Sequence, residues 1–425
     1  MTKPVARDLL ILTGLALLLR VGWCLLFGRT EPGGNDTIFY QSAAFSLAEG
    51  RGYATLFGEP TAHWPPGFPF IVSLAYRAFG NHPWLALGLN VVLSTAAVPL
   101  VYLVAARIQG LREARIAGTA MALFPAAIFF TGLWLAETTY ITMLVAFLAL
   151  VVYLPERRWT PVVLGVAVGV AALTKGEGLL LLAIPLAAWW SSADRGGWAR
   201  KSAVLLVCTG LTIVPWTIRN ALVMDSFVPV ATNASTTLWS GHNDQANGGA
   251  TYAPPSLLAQ TPKDASSPER ELAEARILRR EAVRWAVRNP DRELALIPKK
   301  LVALNGNASN VFGIWFNAGD QRQVGTSSML FFGVLADAFS HFLLFAALAS
   351  LVLLRPSGLT RLHPAMRGVL AYLAVCLVVY GFVYYGQFRY RLPMEPLMIL
   401  VAAPLLARAW ALRGALRGNP APPGP

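Results

Sequence analysis

Acidic and basic residues stand at the ends of long apolar stretches, where ionisable groups are costly and are usually retained for function. Glu137, Lys175 and Glu177 each flank such a stretch, and Arg389 and Arg391 precede another. A carboxylate can accept a proton from a hydroxyl group. Cations hold a phosphate and stabilise the charge that develops as it departs, and the guanidinium fork binds phosphates through two hydrogen bonds. These residue types fit transfer of a group from a phosphate to a hydroxyl.

A further carboxylate, Asp36, lies in the polar loop that follows the first apolar stretch. From Thr37 to Glu49 apolar and small side chains recur at helical spacing, and Gly50 ends the pattern. Aspartate at the start of a helix often caps it. The position of Asp36 therefore fits both helix capping and proton transfer.

Ten apolar stretches could hold these residues at a membrane surface, since about 20 apolar residues cross a bilayer as a helix. Apolar residues make up 55% of the 425-residue chain and charged residues 13%, which argues against a soluble protein. Several stretches are shorter than a full span and could be tilted or re-entrant. The predicted fold is an all-α, polytopic integral membrane protein with about ten transmembrane helices, at 9–27, 84–106, 116–130, 133–154, 161–173, 179–191, 203–218, 329–354, 368–384 and 392–407.

Charged residues sort by side of the membrane. With the N-terminus in the cytoplasm, the segments on that side hold 16 basic and 4 acidic residues, and the rest of the chain holds 19 basic and 18 acidic residues. The net charge of +13 is therefore almost wholly a positive-inside signature. It predicts cytoplasmic N- and C-termini, puts the six ionisable candidates on the extracytoplasmic side, and makes nucleic-acid binding an unnecessary explanation.

Two polar segments are long enough to carry structure of their own. The first polar loop, 29–83, predicts short surface helices near 37–49 and 69–79. The second polar segment, 219–328, predicts an amphipathic surface helix from Ser267 to Asn289. All three cysteines fall in apolar spans, so no disulfide framework is expected. The predicted parts are an N-terminal transmembrane catalytic module that includes the first polar loop, the second polar segment, C-terminal helices and a disordered tail, at 1–218, 219–328, 329–411 and 412–425.

Seven segments follow one another along the chain: NDTIFYQSAAFSLAEGRGY, PPGFPF, LWLAETTYITM, LTKGEGLLL, PWTIRN, TNASTTLWSGHNDQANGG and FRYRLPMEPLMIL. In this order they resemble the membrane glycosyltransferases of the GT-C type. The most similar branch is the family 39-like one, which is related to protein O-mannosyltransferases and aminoarabinose transferases. The resemblance runs from Asp36 to about Leu400, and its specificity lies in the ordered set rather than in any single motif.

The resemblance implies a polyprenyl- or dolichyl-phosphate sugar donor and transfer with inversion on the extracytoplasmic side. In that family an acidic residue of the first outer loop is the catalytic base, and it matches Asp36. Many members carry an Asp-Glu pair there, whereas this chain has Asp36 followed by Thr37, so the second carboxylate is absent. Glu137 matches the acidic residue of the second outer turn and is the second predicted catalytic residue. Arg389 and Arg391 match the arginine-containing segment before the last span, the expected phosphate site.

Other residues complete the predicted site. Lys175 is expected to bind the donor phosphate, with a snorkelling interfacial anchor as the alternative. His63, Tyr40 and Glu177 are expected to contact the acceptor or the loop. Three of the candidates have a structural alternative: an ordinary loop residue for His63, and ion pairing for Glu177 and for Glu137.

No organic cofactor is expected, and a divalent metal stays open. His242 beside Asn243 and Asp244 is too few ligands for a metal site. The expected partners are a polyprenyl-phosphate sugar donor, membrane lipids, and an acceptor that is a protein, a lipid or a glycan. The expected location is a prokaryotic plasma membrane. Two alternative functions are a secondary transporter, for which the internal repeats are not evident, and a lipid-diphosphate-linked glycan ligase or polymerase of the same fold.

Overall fold

In the computed structural model, the described residues form helices joined by loops, and the one element of β structure among them is an isolated bridge between Ala54 and Pro60. This confirms the predicted all-α class. The described residues are 3–30, 34–190, 195–262, 266–306, 308, 325–353 and 362–416. Within them the α-helices are α1 (Lys3–Phe27), α2 (Asn35–Ala48), α3 (Gly67–Phe79), α4 (Trp84–Ile108), α5 (Leu111–Ala122), α6 (Pro125–Phe129), α7 (Glu137–Tyr153), α8 (Thr160–Thr174), α9 (Ala183–Trp189), α10 (Arg195–Met224), α11 (Ala234–Gly241), α12 (Pro255–Leu258), α13 (Ser267–Arg288), α14 (Pro290–Leu304), α15 (Thr326–Leu353), α16 (Pro364–Val378), α17 (Phe388–Arg391) and α18 (Glu395–Leu416).

Six helices in the described ranges are long and apolar enough to cross a membrane, and a seventh span results if the bent pair α5 and α6 is one. Shorter apolar helices accompany them, among them α7 and α8 with 17 and 15 residues. The chain is therefore a multi-pass membrane protein. The predicted number of ten spans is not confirmed, because several of the predicted stretches form helices shorter than the roughly 20 residues of a full span.

Arg20, in the second half of α1, is fully buried and donates hydrogen bonds to the last carbonyls of α5. Its Nη1 donates to the Ala122 carbonyl at 3.1 Å, its Nη2 to the Met121 carbonyl at 3.2 Å, and its Nε to Ser94 Oγ at 2.7 Å. The last carbonyls of a helix have no partner within that helix. Here the chain bends by 48° before Pro125 begins α6, and the arginine supplies the missing donors.

Two glycines of α8 allow close packing against α10. A Cβ on Gly165 would lie 2.6 Å from the Leu205 carbonyl oxygen, and one on Gly169 would lie 2.5 Å from Thr212 Cβ. Thr209 Oγ1 also donates to the Gly165 carbonyl at 3.1 Å. Small residues four positions apart let membrane helices approach closely. This contact gives the end of α8 a fixed position in the bundle.

The second polar segment is tied to the first polar loop. Glu271 on α13 accepts hydrogen bonds from Thr61 Oγ1 at 2.6 Å and from the Ala62 amide at 3.2 Å. Arg219, near the end of α10, donates to the carbonyls of Thr61 and Tyr53 at 2.7 Å each. Arg219 thus joins the end of its span to the first polar loop.

The helices predicted in the polar segments are present as α2, α3 and α13. Helix α13 begins with a capping box between Ser266 and Glu269 and carries exposed ion pairs such as Arg284 with Glu281 at 2.8 Å. The domain boundaries stay a prediction. Helix α18 continues to Leu416, past the predicted boundary at 411, because alanine, leucine and arginine favour helix. The rest of the predicted tail, 417–425, lies outside the described residues.

Candidate active site

Arg389 joins two carboxylates from distant parts of the chain. Its Nη1 donates to Asp36 Oδ2 at 2.9 Å, and its Nε and Nη2 lie 2.8 and 2.7 Å from Glu137 Oε1. Asp36 and Arg389 are 353 positions apart in sequence, and Glu137 and Arg389 are 252 apart. Three of the residues singled out from the sequence thus meet in one place.

Lys175 completes a cluster of two cations and three carboxylates. Its Nζ lies 3.2 Å from Glu137 Oε1 and 3.8 Å from Glu177 Oε1. The ammonium also lies 5.7 Å from the centre of the Tyr390 ring, close enough for a cation–π contact. We call Asp36, Glu137, Lys175, Glu177 and Arg389 the charge cluster.

The members of the charge cluster differ in exposure. The side chain of Glu137 is 1% exposed, whereas those of Asp36, Lys175, Glu177 and Arg389 are 16%, 13%, 15% and 13% exposed. Glu137 Oε1 binds both cations, and its buried Oε2 has no hydrogen-bond partner among the described residues. Glu137 is therefore the buried anchor of the cluster, and the other four side chains border accessible space.

Both carboxylates that bind Arg389 lie in the first turn of a helix. Asp36 is the second residue of α2, and Glu137 is the first residue of α7. The N-terminal end of a helix favours negative charge, because its amide dipoles point their positive ends there. The N-cap residue of α2 is Gly34, and no side-chain hydrogen bond caps this end of the helix. Helix capping, the structural alternative for Asp36, is thus not what its side chain does.

Close turns fix Lys175 at the end of α8. The chain after Thr174 turns back as a 3₁₀ segment, Gly176–Leu182. A Cβ on Gly178 would clash with the backbone of Ala171, and a Cβ on Gly67, at the start of α3, would clash with Thr174. The glycines of the LTKGEGLLL and PPGFPF segments thus allow three pieces of backbone to meet beside Lys175.

Arg391 lies outside the charge cluster, in the interior of the bundle. Its side chain is 1% exposed and its Nε donates to Glu395 Oε1 at 2.9 Å. Ser340 Oγ donates to the same oxygen at 2.8 Å, and Asn305 Oδ1 lies 3.5 Å from Arg391 Nη1. The predicted role of Arg391 as a phosphate ligand stays a prediction, and these contacts favour Arg389 and Lys175 for that role.

Tyr40 and His63 lie beside Asp36 in an aromatic wall of the first polar loop. The Tyr40 ring is 5.9 Å from that of Trp64, and His63 is 5.1 Å from the same indole. Burial raises the pKa of Tyr40 well above its ordinary value, and the negative charges of Asp36 and Glu137 add to this effect. Burial lowers the pKa of His63, against the opposing influence of nearby carboxylates. A protonated phenol and a neutral imidazole therefore adjoin the cluster.

Sequence reasoning missed several residues around the site. Glu395 follows Arg391 by four positions, a helical ion-pair spacing that could have been found. Tyr390 stacks on Tyr380 with ring centres 4.9 Å apart, and its hydroxyl donates to Tyr385 at 3.1 Å. Tyr390 stands inside the FRYR segment, but nothing local in the sequence indicates its contact with Lys175.

His242 takes part in a buried ion-pair network rather than a metal site. Its Nδ1 lies 2.6 Å from Glu293 Oε1, and its Nε2 lies 2.9 Å from the Val383 carbonyl. Asp244 instead accepts hydrogen bonds from Arg292 and Trp285. In the described part of the chain no three histidine, cysteine, aspartate or glutamate side chains are grouped closely enough to hold a metal ion.

Residues 63–218 match the family model of dolichyl-phosphate-mannose-protein mannosyltransferases. The matched segment includes Glu137, Lys175 and Glu177, whereas Asp36 and Arg389 lie outside it. No curated protein sequence matches the chain significantly.

Solved structures of membrane glycosyltransferases are similar to this chain. The oligosaccharyltransferase AglB from Archaeoglobus fulgidus, in complex with an inhibitory peptide and a dolichol-phosphate, is 16% identical with a TM-score of 0.54, over 98% of this chain and 52% of its own. The Archaeoglobus fulgidus oligosaccharyltransferase in complex with Zn and sulfate is 17% identical with a TM-score of 0.55, over 96% of this chain and 50% of its own. ArnT from Cupriavidus metallidurans bound to undecaprenyl phosphate is 17% identical with a TM-score of 0.46, over 96% and 80%.

The chain spans about half the length of the archaeal oligosaccharyltransferase, and at this level of identity the likeness concerns the fold. The sequence-based prediction of the fold group is confirmed by that likeness and by the family model on 63–218. The chain therefore has the fold of the GT-C type membrane glycosyltransferases, and its residues 63–218 match the family model of the protein mannosyltransferases.

Proposed function

We propose that the chain transfers a sugar from a polyprenyl-phosphate-linked donor to a hydroxyl of an extracytoplasmic acceptor, with inversion at the anomeric carbon. The observation that carries this proposal is the charge cluster, in which Arg389 bridges Asp36 and Glu137 while Lys175 lies alongside. Such a cluster combines an accessible carboxylate with cations at the end of a helical bundle. These are the groups that a single displacement at a phosphate-linked sugar requires.

Asp36 is the proposed general base. Arg389 holds one oxygen of its carboxylate, and 16% of the side chain is exposed, so an acceptor hydroxyl can approach it. The acceptor oxygen forms a bond to the anomeric carbon while its proton passes to Asp36. The bond between the anomeric carbon and the donor phosphate breaks in the same step, which inverts the configuration at that carbon.

Lys175 and Arg389 are proposed to stabilise the phosphate that leaves. An ammonium has three N–H donors, and the Lys175 Nζ has two carboxylates as near partners. Glu137 holds both cations through one oxygen, so they are positioned before the donor arrives. Preorganised charges of this kind act most strongly where water is limited.

We further propose that the cluster faces away from the cytoplasm of a prokaryotic plasma membrane. Asp36, Glu137 and Lys175 stand at one end of α2, α7 and α8, and the basic loop with Arg157 and Arg158 stands at the other end of α7. Because basic loops usually stay on the cytoplasmic side, this arrangement supports an extracytoplasmic position for the cluster. The lipid tail of the donor would then lie beside the bundle in the outer leaflet.

The test uses purified protein with defined polyprenyl-phosphate sugars and a set of hydroxyl acceptors, followed by mass analysis of both products. We expect a glycosylated acceptor and free polyprenyl monophosphate. We expect Asp36→Asn to abolish transfer with donor binding retained, because the amide cannot accept the proton. Glu49→Gln, an exposed carboxylate at the far end of α2, is the matched control and should keep wild-type turnover.

Three outcomes would contradict the proposal. Near-normal turnover by Asp36→Asn would remove Asp36 from the mechanism. Release of a lipid diphosphate would point to the ligase or polymerase alternative. Substrate flux into proteoliposomes without a glycosylated product would point to transport.

A further inference from the structure

The short link that leads into α17, residues 384–387, is clamped by the second polar segment. The Gly386 amide donates to the Gly248 carbonyl at 2.8 Å. His242 Nε2 lies 2.9 Å from the carbonyl of Val383, the residue that precedes the link. Arg389 follows the link by two residues, so whatever holds the link also fixes the backbone from which Arg389 reaches Asp36 and Glu137.

The clamp depends on glycines where backbones touch. A Cβ on Gly386 would clash with the Lys300 carbonyl and the Leu304 amide of α14. A Cβ on Gly241 would lie 2.6 Å from the Tyr384 carbonyl oxygen, and one on Gly248 would clash with Lys299. Gly248 also has a φ of +99°, which side chains rarely adopt. The link therefore lies between the turn after α11 and the face of α14, and there is no room for a side chain at Gly386.

His242, Glu293 and Lys300 form a network of polar contacts next to the link. His242 Nδ1 lies 2.6 Å from Glu293 Oε1, and Lys300 Nζ lies 3.7 Å from Glu293 Oε2. The Val383 carbonyl can only accept, so a hydrogen bond to it requires a proton on Nε2, and Lys300 Nζ lies 3.5 Å from the same nitrogen. The Lys300 side chain is fully buried, and burial lowers its pKa while Glu293 opposes that shift. Buried charges persist only where partners hold them, so the network has a defined geometry.

The link also reaches the second cation of the cluster. Tyr385, within the link, accepts a hydrogen bond from the Tyr390 hydroxyl at 3.1 Å. The Tyr390 ring lies 5.7 Å from Lys175 Nζ. A displacement of the link would therefore be felt at Arg389 through the backbone and at Lys175 through two aromatic side chains.

We propose that His242, Glu293 and Lys300 are positioning residues that hold the link and thereby set the place of Arg389 against Asp36. The catalytic part of this proposal rests on the proposed glycosyl transfer. Misplacement of about 1 Å at a reacting group can cost roughly 100-fold in rate. Because Arg389 orients the base and, with Lys175, faces the donor phosphate, loosening the link should lower kcat and raise the donor KM.

The test compares wild type with His242→Ala, which removes the donor to Val383, and Gly386→Ala, which forces the link off α14. Gly249→Ala is the matched control, since its Cβ would meet nothing closer than Asn247 Oδ1 at 3.5 Å. Hydrogen exchange of peptides covering 384–391 reports the link without any reaction. Thermal unfolding of each purified variant identifies those that fail to fold.

We expect faster exchange at the link in both variants and a fall in kcat of tenfold or more, together with a rise in the donor KM. His242→Gln, whose amide can still donate to Val383, should recover part of kcat. Unchanged exchange in both variants would overturn the clamp. Faster exchange with unchanged kcat would overturn its positioning role. Faster exchange in a protein whose wild type transfers no sugar would instead count against the proposed function alone.

Discussion

Two arginines that are two positions apart in sequence have different environments. Arg389 borders accessible space and binds Asp36 and Glu137, whereas Arg391 is buried against Glu395 and Phe388. A short helix with successive residues about 100° apart sends such side chains to different sides. The environment of Arg389 suits a side chain that can bind a ligand. The environment of Arg391 suits a side chain that holds α18 to its neighbours.

Removal of the Arg391 side chain tests this distinction. We expect Arg391→Ala to destabilise the protein by about 3–5 kcal/mol, because it leaves the Glu395 carboxylate buried without its cation. The double variant Arg391→Met with Glu395→Leu should recover most of the lost stability. Thermal unfolding of the single and double variants gives the coupling, and donor binding by the double variant should match wild type.

A phosphate role for Arg391 requires the opposite pattern. Donor affinity would then fall in the double variant as well, whatever its stability. That result would restore the sequence-based assignment of Arg391 to the phosphate site.

The rule that ionisable residues in apolar stretches are functional candidates predicts some residues and not others. The cost of ionisable residues in apolar surroundings singled out Glu137, Lys175 and Arg389, and the structure brings these three side chains together. Their roles stay predictions. Arg20 meets the same criterion, yet it serves the carbonyls of a broken helix. A sequence shows that a charged side chain lies in an apolar stretch. It does not show whether a substrate or a backbone carbonyl binds that charge, because the carbonyls that bind Arg20 are about 100 positions away in sequence. Lys300 is a second example. It lies in an amphipathic helix whose pattern is typical of a solvent-exposed surface helix, and yet its side chain is buried.

At the scale of helices, glycine contacts place the functional side chains. The close contact between α8 and α10 at Gly165 and Gly169 sets where α8 ends, and Lys175 follows at once. The apolar pattern predicted both helices. It could not predict that α8 is the shorter partner of a tight pair, because periodicity carries no information about which face meets which helix.

We expect Gly169→Leu to force α8 away from α10 and to destabilise the protein by about 1–3 kcal/mol, the usual cost of overpacking. Gly210→Leu is the control, because a Cβ there meets nothing within 4 Å. Unfolding temperatures of the two variants give the comparison. Equal stabilities would mean that the glycine contact does not determine the packing of this pair.

At the scale of the whole molecule, sidedness decides whether the charge cluster can meet an extracytoplasmic acceptor. The first polar loop carries Phe57, which is 88% exposed, and the opposite end of α7 leads to Glu156, whose side chain is 77% exposed. The cysteines of the chain are Cys24, Cys208 and Cys376, all free thiols within helices of the bundle. Single cysteines at the two exposed positions can therefore report the two faces.

We expect a membrane-impermeant maleimide to label Phe57→Cys in intact cells and to label Glu156→Cys only after lysis. The positive-inside distribution of charge is the physical reason. The parent protein gives the background from its own thiols. Labelling of Glu156→Cys alone in intact cells would reverse the topology and end the proposal of an extracytoplasmic reaction.

The guanidinium of Arg20 makes the first helix more than a membrane anchor. Without it, the Met121 and Ala122 carbonyls and the hydroxyl of Ser94 would lose their donor in a place that water does not easily reach. A generic leader or a foreign anchor of equal length could insert the chain but could not substitute for this helix. The amino-terminal segment is thus an internal part of the folded protein, and any fusion or truncation has to preserve it.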